Sequence, residues 1–125
     1  MSLNNGRVLV VDDDVAVRLV MKRLLEMKGY EAELAVSGED GLAKANKNKF
    51  CLILLDLCMK DVDGREFLRQ ISLKDNVTPI VVLTGVKDEV IENECYELGA
   101  DGFMVKPFDS EMLDRIIKIA VTDED

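Results

Sequence analysis

The sequence predicts an α/β fold in which a doubly wound, five-stranded parallel sheet is covered by five helices. Short apolar segments rich in β-branched residues recur along the chain, and a helical pattern follows each of them. Such alternation requires parallel strands joined by right-handed crossovers, which place helices on both faces of an open sheet. The 125 residues, 48% hydrophobic and 33% charged, suit a single globular domain.

Four of the predicted strands are apolar runs short enough to be buried on both faces of the sheet. The remaining strand, residues 31–35, alternates polar and apolar side chains, which is typical of an edge strand with one side in water. The four buried strands are predicted at residues 7–11, 50–55, 79–83 and 102–105.

The first helix, predicted over residues 15–28 with Asp14 as N-cap, has the clearest periodicity and ends at Lys28-Gly29, a common C-terminal signal. Its apolar stripe is predicted to contain Val17, Val20, Met21, Leu24 and Met27. The other helices are predicted over residues 37–47, with Ser37 as N-cap, and over 63–72, 87–98 and 109–121, the last with the stripe Met112, Leu113, Ile116, Ile117 and Ala120.

Composition narrows the possible partners and sites. A net charge of −9 repels a phosphate backbone, so we expect this chain to make no direct nucleic-acid contact. Three cysteines without a Cys-x-x-Cys spacing, and no histidine, argue against a zinc site. Apolar runs reach only about five residues, far short of a membrane-spanning helix. Residues 1–6 do not resemble a secretory signal, so we predict a cytoplasmic protein.

Within the chain, we expect three parts. Residues 1–6 are predicted to be a disordered or cloning-derived N-terminus, residues 7–121 to form the domain, and residues 122–125 to be an acidic tail.

Polar side chains stand where four of the predicted strands end. In open parallel sheets, ligands bind beyond the carboxyl ends of the strands, so these side chains are predicted to share one site. They are Asp12, Asp13 and Asp14 after the first strand, Asp56 after the third, Thr84 after the fourth and Lys106 after the fifth.

The chemistry of this set favours phosphoryl transfer. Carboxylates about 4 Å apart repel each other by roughly 1–4 kcal/mol per pair, so they need a cation, and Mg²⁺ is the hard divalent ion that suits oxygen ligands. A carboxylate beside Mg²⁺ and a lysine can attack phosphorus, which makes Asp56 the predicted nucleophile. The hydroxyl of Thr84 can donate to a phosphoryl oxygen and draw its loop inward, as a switch does.

The motifs around these residues follow a recognisable order: VLVVDDD, LILLDLCM, VVLTG and GADGFMVKPF. In this combination the chain resembles a response-regulator receiver domain of two-component phosphorelay signalling, over about residues 7–120. The resemblance, which is closest to regulators of the chemotaxis type, implies a flavodoxin-like sheet with the strand order 2-1-3-4-5.

The resemblance also implies a role for each site residue. Asp12 and Asp13 bind Mg²⁺ together with Asp56, and the backbone carbonyl of Cys58 completes the coordination. Asp56 is the phosphoacceptor, and two further side chains contact the phosphoryl group. These are Thr84 and Lys106.

Phe103 stands three residues before the lysine, where the family has an aromatic residue whose rotamer responds to the threonine. An aromatic residue within a strand equally suits plain core packing, so both interpretations remain open at this position.

The resemblance implies partners as well. A histidine kinase or phosphotransfer protein would supply the phosphoryl group, and a downstream effector or output domain would contact the face formed by the fourth helix, fifth strand and fifth helix. The chain would be a signalling switch whose catalysis is limited to self-phosphorylation and self-dephosphorylation, and not an enzyme in any wider sense.

Two alternatives remain. Lys60 replaces a proline that is common in the family's loop, which favours a pseudo-receiver, a protein-binding module without the chemistry. Asp12 and Asp14 after a strand also suggest a magnesium-dependent phosphatase of the haloacid dehalogenase type. Such enzymes need a second acidic pair late in the sequence, whereas the segment after Lys106 supplies only helix-start and tail acids.

Overall fold

A computed structural model describes residues 6–57, 59, 63–74, 78–106 and 109–122 of the chain. Strands and helices alternate along it without exception among the described residues. The elements are β1 (Arg7–Val11), α1 (Val15–Met27), β2 (Glu31–Ala35), α2 (Gly38–Lys47), β3 (Leu52–Asp56), α3 (Gly64–Lys74), β4 (Ile80–Thr84), α4 (Glu89–Glu97), β5 (Gly102–Val105) and α5 (Ser110–Thr122).

The five strands form one parallel sheet in the order β2-β1-β3-β4-β5, which confirms the predicted fold. The register aligns the carboxyl ends of the central strands, with Val11 beside Leu55, Asp56 beside Leu83, and Thr84 beside Val105. The residues that end β1, β3, β4 and β5 therefore meet at one edge of the sheet.

The helices cover both faces of the sheet. Helices α2, α3 and α4 pack on one face, where Phe67 and Leu68 of α3 are fully buried against side chains of β1, β3 and β4. Helices α1 and α5 pack on the other face, through Met21, Leu25 and Leu113. Each buried aliphatic or aromatic side chain contributes about 1.5–3 kcal/mol to the stability of the fold by leaving water. The two helical layers therefore hold the carboxyl edge of the sheet in place.

Helix ends follow the predicted signals. The side chain of Asp14 caps α1 by accepting from the N–H groups of Ala16 and Val17, and Ser37 caps α2 by accepting from the N–H of Asp40. Gly29 follows the end of α1 with a φ of 88°, a left-handed conformation that glycine adopts without a steric cost.

The apolar stripe of α1 was only partly predicted. Met21 is buried as expected, but Val20 and Met27 are 57% and 73% exposed, and Leu25, absent from the predicted stripe, is fully buried. Apolar residues at a spacing of three and four identify a helix, but in α1 they cover two overlapping faces of it. Which face is buried depends on how α1 packs against α5 and the sheet.

The strand predictions need small corrections. β3 and β4 each end one residue later than predicted, because Asp56 and Thr84 still pair with neighbouring strands, and they begin at Leu52 and Ile80, two residues and one residue later than predicted. β5 is an edge strand in which Gly102, Phe103 and Val105 are only partly buried, so it is not covered on both sides as the sequence had suggested. Within the described residues, none of the helices is long and apolar enough to cross a membrane.

Candidate functional site

The predicted polar residues meet at the carboxyl edge of the sheet. Asp12 directly follows β1, Asp56 and Thr84 end β3 and β4, and Lys106 directly follows β5. The Nζ of Lys106 lies 3.0 Å from Oδ2 of Asp12 and 3.7 Å from Oδ1 of Asp56. The fold thus brings the end of the last strand to the ends of the first and third.

Asp12 is fully buried, and each of its polar groups is used. Its N–H donates to the carbonyl of Ala35 (3.3 Å), and its carbonyl accepts from Nη1 of Arg18 (2.8 Å). Oδ1 accepts from the N–H of Asp14 (2.9 Å), and Oδ2 accepts from Lys106. A buried carboxylate held by this many donors has a fixed orientation, and the ammonium group of Lys106 compensates its charge.

Three carboxylates point into the same space. One oxygen each from Asp12, Asp13 and Asp56 lies within 4.8 Å of the others, and both Asp12 and Asp56 are buried. Oxygen donors at such separations suit a hard divalent cation that keeps several waters, as Mg²⁺ does. The residues present therefore fit the predicted metal site. Cys58, whose backbone carbonyl is the other predicted ligand, lies outside the described residues.

Lys106 provides the positive charge within the site. Burial disfavours its charged form, but the hydrogen bond to Asp12 and the negative charges of Asp56 and Asp12 outweigh burial, so the pKa of Lys106 is raised above its ordinary value. The ammonium group is therefore fully protonated at neutral pH and partly neutralises the acidic cluster.

Thr84 lies at the end of β4, next to both β3 and β5 in the sheet. Its carbonyl accepts from the N–H of Lys106 at 2.6 Å, so the backbone of the two residues is directly joined. Its Oγ1 accepts from the N–H of Val86 at 3.3 Å, which turns the hydroxyl oxygen toward its own loop. A hydroxyl that accepts one hydrogen bond still has its proton to donate to an anion.

The loop after β3 is held where it leaves the site. Leu57 donates its N–H to the carbonyl of Leu83 (3.1 Å) and accepts at its own carbonyl from the N–H of Gly64 (3.1 Å). A Cβ at Gly64 would lie 2.8 Å from both Cα and the carbonyl oxygen of Leu57, so only glycine fits. This close approach fixes the start of α3 against the residue that follows Asp56.

An ion-pair group that the sequence did not predict joins the start of α3 to α4. Arg65 contacts Glu94 of α4 at 2.7 Å and Asp63 at 3.3 Å. The hydrogen bonds from the side chain and backbone of Arg65 hold the pKa of Asp63 below its ordinary value despite some burial. Arg65 and Glu94 lie 29 positions apart in the chain, so no local sequence signal could have paired them.

Phe103 is set back from the site edge. It pairs with Val82, two residues before Thr84, and packs at the border of the core on the α2–α4 side of the sheet. It also lines a groove of about 680 Å³ between α4, β5 and α5, together with Val105, Met112, Ile116 and Ile119. Lys87, Glu89, Glu92, Met104 and Arg115 complete the lining of this α4–β5–α5 groove.

Arg18 is a contributor to the site that sequence reasoning missed. A signal was available, because side chains on a helix incline toward its N-terminus. An arginine four residues after an N-cap can therefore reach the loop that precedes the helix, as Arg18 does in donating to the carbonyl of Asp12.

Comparisons with known proteins agree with this geometry. Residues 8–118 match the family model described as the response regulator receiver domain. Among sequence relatives, the transcriptional regulatory protein ResD of Bacillus subtilis is 39% identical over 105 residues, which cover 84% of this chain and 43% of ResD. The chain spans about half or less of the length of the first sequence relatives it matches.

Solved structures match along nearly the whole chain. A CheY-like response regulator receiver domain protein from Methanospirillum hungatei superposes with a TM-score of 0.90 at 32% identity and covers 94% of both chains. The chemotaxis protein CheY4 of Vibrio cholerae superposes with a TM-score of 0.88 at 34% identity, over 92% of this chain and 98% of CheY4.

Proposed function

The chain belongs to the response regulator receiver domain family, and on that premise we propose that it is a phosphoacceptor switch in which Asp56 accepts a phosphoryl group from a phosphohistidine donor. The observation that carries the proposal is the joint position of three carboxylates and one ammonium group at the site edge: Asp12, Asp13 and Asp56 within 4.8 Å of one another, and Lys106 against two of them.

In the proposed reaction, a carboxylate oxygen of Asp56 attacks phosphorus. The O–P bond forms as the N–P bond of the donor breaks, and the imidazole leaves with the electron pair. Lys106, 3.7 Å from Oδ1 of Asp56, offsets the charge of the transferred phosphoryl oxygens. Asp12, Asp13 and Asp56, with the Cys58 carbonyl, are the proposed ligands of Mg²⁺, which when bound supplies further neutralisation of that charge.

The switch proposed at the neighbouring strand depends on Thr84. Its buried hydroxyl donates to the new phosphoryl group. Because the N–H of Val86 donates to the same hydroxyl oxygen, movement of the hydroxyl pulls the loop that leads to α4. Phe103 packs two residues behind Thr84 on the adjacent strand, so an inward shift of the threonine gives its ring new space. The consequence is a changed surface at the α4–β5–α5 groove.

That groove is the proposed contact for a downstream effector or output domain. Met112 and Ile119 of α5, which line the groove, are 37% and 62% exposed, and they give it an apolar character that suits a protein partner. We assign phosphoryl donation to a histidine kinase or phosphotransfer protein.

The charge of −9 argues that any DNA contact belongs to another part of a longer regulator. We further propose that the domain, residues 7–121, lies in the cytoplasm.

Incubation with acetyl phosphate and Mg²⁺, followed by intact-mass measurement, tests this function. We expect the mass to rise by one phosphoryl group and Asp56→Asn to abolish the increase. Asp14→Asn is the matched control, because asparagine caps a helix as well as aspartate does and the adjacent carboxylates remain.

Two other results would replace the proposal. If the wild-type chain takes up no phosphoryl group, a pseudo-receiver that binds proteins without the chemistry is the better description. Steady turnover of a phosphate ester, with phosphate released over many cycles, would instead identify a phosphatase.

A further inference from the structure

Arg18 lies outside the acidic cluster but contacts its backbone. Its side chain is partly buried, and Nη1 donates to the carbonyl oxygen of Asp12 at 2.8 Å. The N–H of Arg18 donates to the carbonyl of Asp14, which closes the first turn of α1. Arg18 is therefore fixed at both ends, by its backbone in the helix and by its guanidinium on the loop.

The carbonyl of Asp12 is the point at which the chain leaves β1 and turns into α1. The backbone between this carbonyl and the cap at Asp14 carries Asp13, and it sets the directions of the Asp12 and Asp13 side chains. A guanidinium presents several donors in one plane, so it can hold a carbonyl in a fixed direction while its other N–H groups face elsewhere.

The same guanidinium acts on the neighbouring β2–α2 loop. Burial raises the pKa of Asp40, but its hydrogen bonds from the N–H of Val36 and from Lys44, and the charges of Lys44 and Arg18, outweigh burial and lower that pKa overall. Asp40 accepts from Val36 at 3.0 Å and from Lys44 at 3.1 Å. Asp40 therefore interacts with two cations, with Lys44 in direct contact and with Arg18 through its charge.

We propose that Arg18 is a positioning residue for the metal site, which holds the Asp12 carbonyl so that the Asp12 and Asp13 carboxylates face Asp56. The inference rests on the proposed magnesium-dependent function. Two effects of the arginine oppose each other: its charge repels a divalent cation, whereas its hydrogen bond preorganises two of the ligands. Because the 2.8 Å hydrogen bond acts directly on the backbone that carries both ligands, we expect preorganisation to be the larger effect.

The test is a titration with magnesium chloride at constant ionic strength, followed by the amide NMR signals of residues 12–14. Arg18→Gln removes the guanidinium, and we expect the dissociation constant for Mg²⁺ to rise about tenfold, as happens when groups that orient metal ligands are lost. Arg18→Lys keeps a donor and a charge, and an intermediate constant is expected. Arg23→Gln, at an exposed position of α1, removes the same charge and should leave the constant unchanged.

Thermal unfolding in EDTA tests whether the substitutions affect general stability. We expect Arg18→Gln and Arg23→Gln to unfold within a few degrees of each other, so that a difference in Mg²⁺ affinity between them reports on positioning. An Arg18→Gln protein that binds Mg²⁺ as tightly as wild type, or more tightly, would overturn the inference. If that variant does not fold, the dissociation constants of Arg18→Lys and Arg23→Lys for Mg²⁺ are compared instead. Equal constants for these two variants would overturn the inference. A wild-type chain that binds no Mg²⁺ would instead refute the proposed function on which the inference rests.

Discussion

The Nζ of Lys106 and Oδ2 of Asp12 are 3.0 Å apart, although the two residues are separated by 94 positions in the chain. Lys106 follows β5 and Asp12 follows β1, so the contact joins the ends of these two strands. Asp56, at the end of β3, lies between them. A fixed cation thus shares the site with the proposed metal ligands, which has consequences for stability and for metal affinity.

Replacement of Lys106 by methionine should destabilise the protein in EDTA. The buried carboxylate of Asp12 and that of Asp56 would lose their common cation, at a cost of about 1–3 kcal/mol in the free energy of unfolding. Mg²⁺ should recover more stability in the variant than in wild type, because the metal then has no competing cation. Urea unfolding with and without Mg²⁺ measures both effects, and Lys22→Met on the exposed face of α1 is the control.

Equal Mg²⁺ stabilisation of wild type and Lys106→Met would contradict this explanation, because it would mean that the ammonium group and the metal do not share the same carboxylates.

The pH dependence of the same pair follows from the direction of its pKa shift. The pKa of Lys106 is raised in the folded protein above its ordinary value of 10.5, so its stabilising contribution is complete below that pH and is lost as pH rises through the folded pKa. The difference in unfolding free energy between wild type and Lys106→Met should therefore be constant from about pH 7 to 9.5 and shrink above about pH 10.5. A difference that already falls between pH 7 and 9 would show that the lysine is not held in its charged form.

The sequence predicted the site better than it predicted the packing around it. Asp12, Asp56 and Lys106 could be brought together in advance because parallel strands end at a common edge, and that rule depends only on the order of strands and helices. Packing on α1 could not be read in the same way. Leu25 is fully buried while Met27 is 73% exposed, and both fit a helical spacing.

Contacts between distant segments were also out of reach. Nothing near Arg65 in the sequence indicates Glu94 as its partner, and nothing near Gly64 indicates that the backbone of Leu57 would approach it so closely. Such contacts depend on how helices settle on the sheet, which is a property of the whole core. The hydrogen bond from Arg18 to Asp12 was missed but could have been predicted, because it is local and follows from the direction of side chains on a helix.

Gly64→Ala should disturb the loop that follows the proposed phosphoacceptor. The new methyl group would lie 2.8 Å from backbone atoms of Leu57, which cannot move aside as a side chain could, so we expect a loss of about 1–3 kcal/mol in unfolding free energy and slower phosphoryl uptake. Gly85→Ala is the matched control, since no atom apart from those of its two chain neighbours lies within 4 Å of a Cβ at Gly85. Chemical denaturation and the rate of mass increase with acetyl phosphate provide the measurements. Similar stabilities for the two variants would mean that the contact with Leu57 is not tight.

Thr84→Val should separate phosphoryl uptake from the switch. Valine fills nearly the same buried space but has no hydroxyl, so Asp56 should still accept a phosphoryl group while the change at the α4–β5–α5 groove is lost. Addition of beryllofluoride and Mg²⁺, followed by amide NMR, should shift signals of Phe103 and α4 in wild type and in Thr84→Ser but not in Thr84→Val. The same shifts in all three proteins would exclude the hydroxyl as the link.

We propose that Asp56, and none of the acids beside it, carries the phosphoryl group. Borohydride reduces an aspartyl phosphate to homoserine, and trypsin separates Asp56, in residues 50–60, from Asp12 to Asp14, in residues 8–18. After incubation with acetyl phosphate and Mg²⁺, peptide sequencing by mass spectrometry should find homoserine at position 56. Homoserine at positions 12 to 14 with position 56 unchanged would rule out Asp56 as the phosphoacceptor.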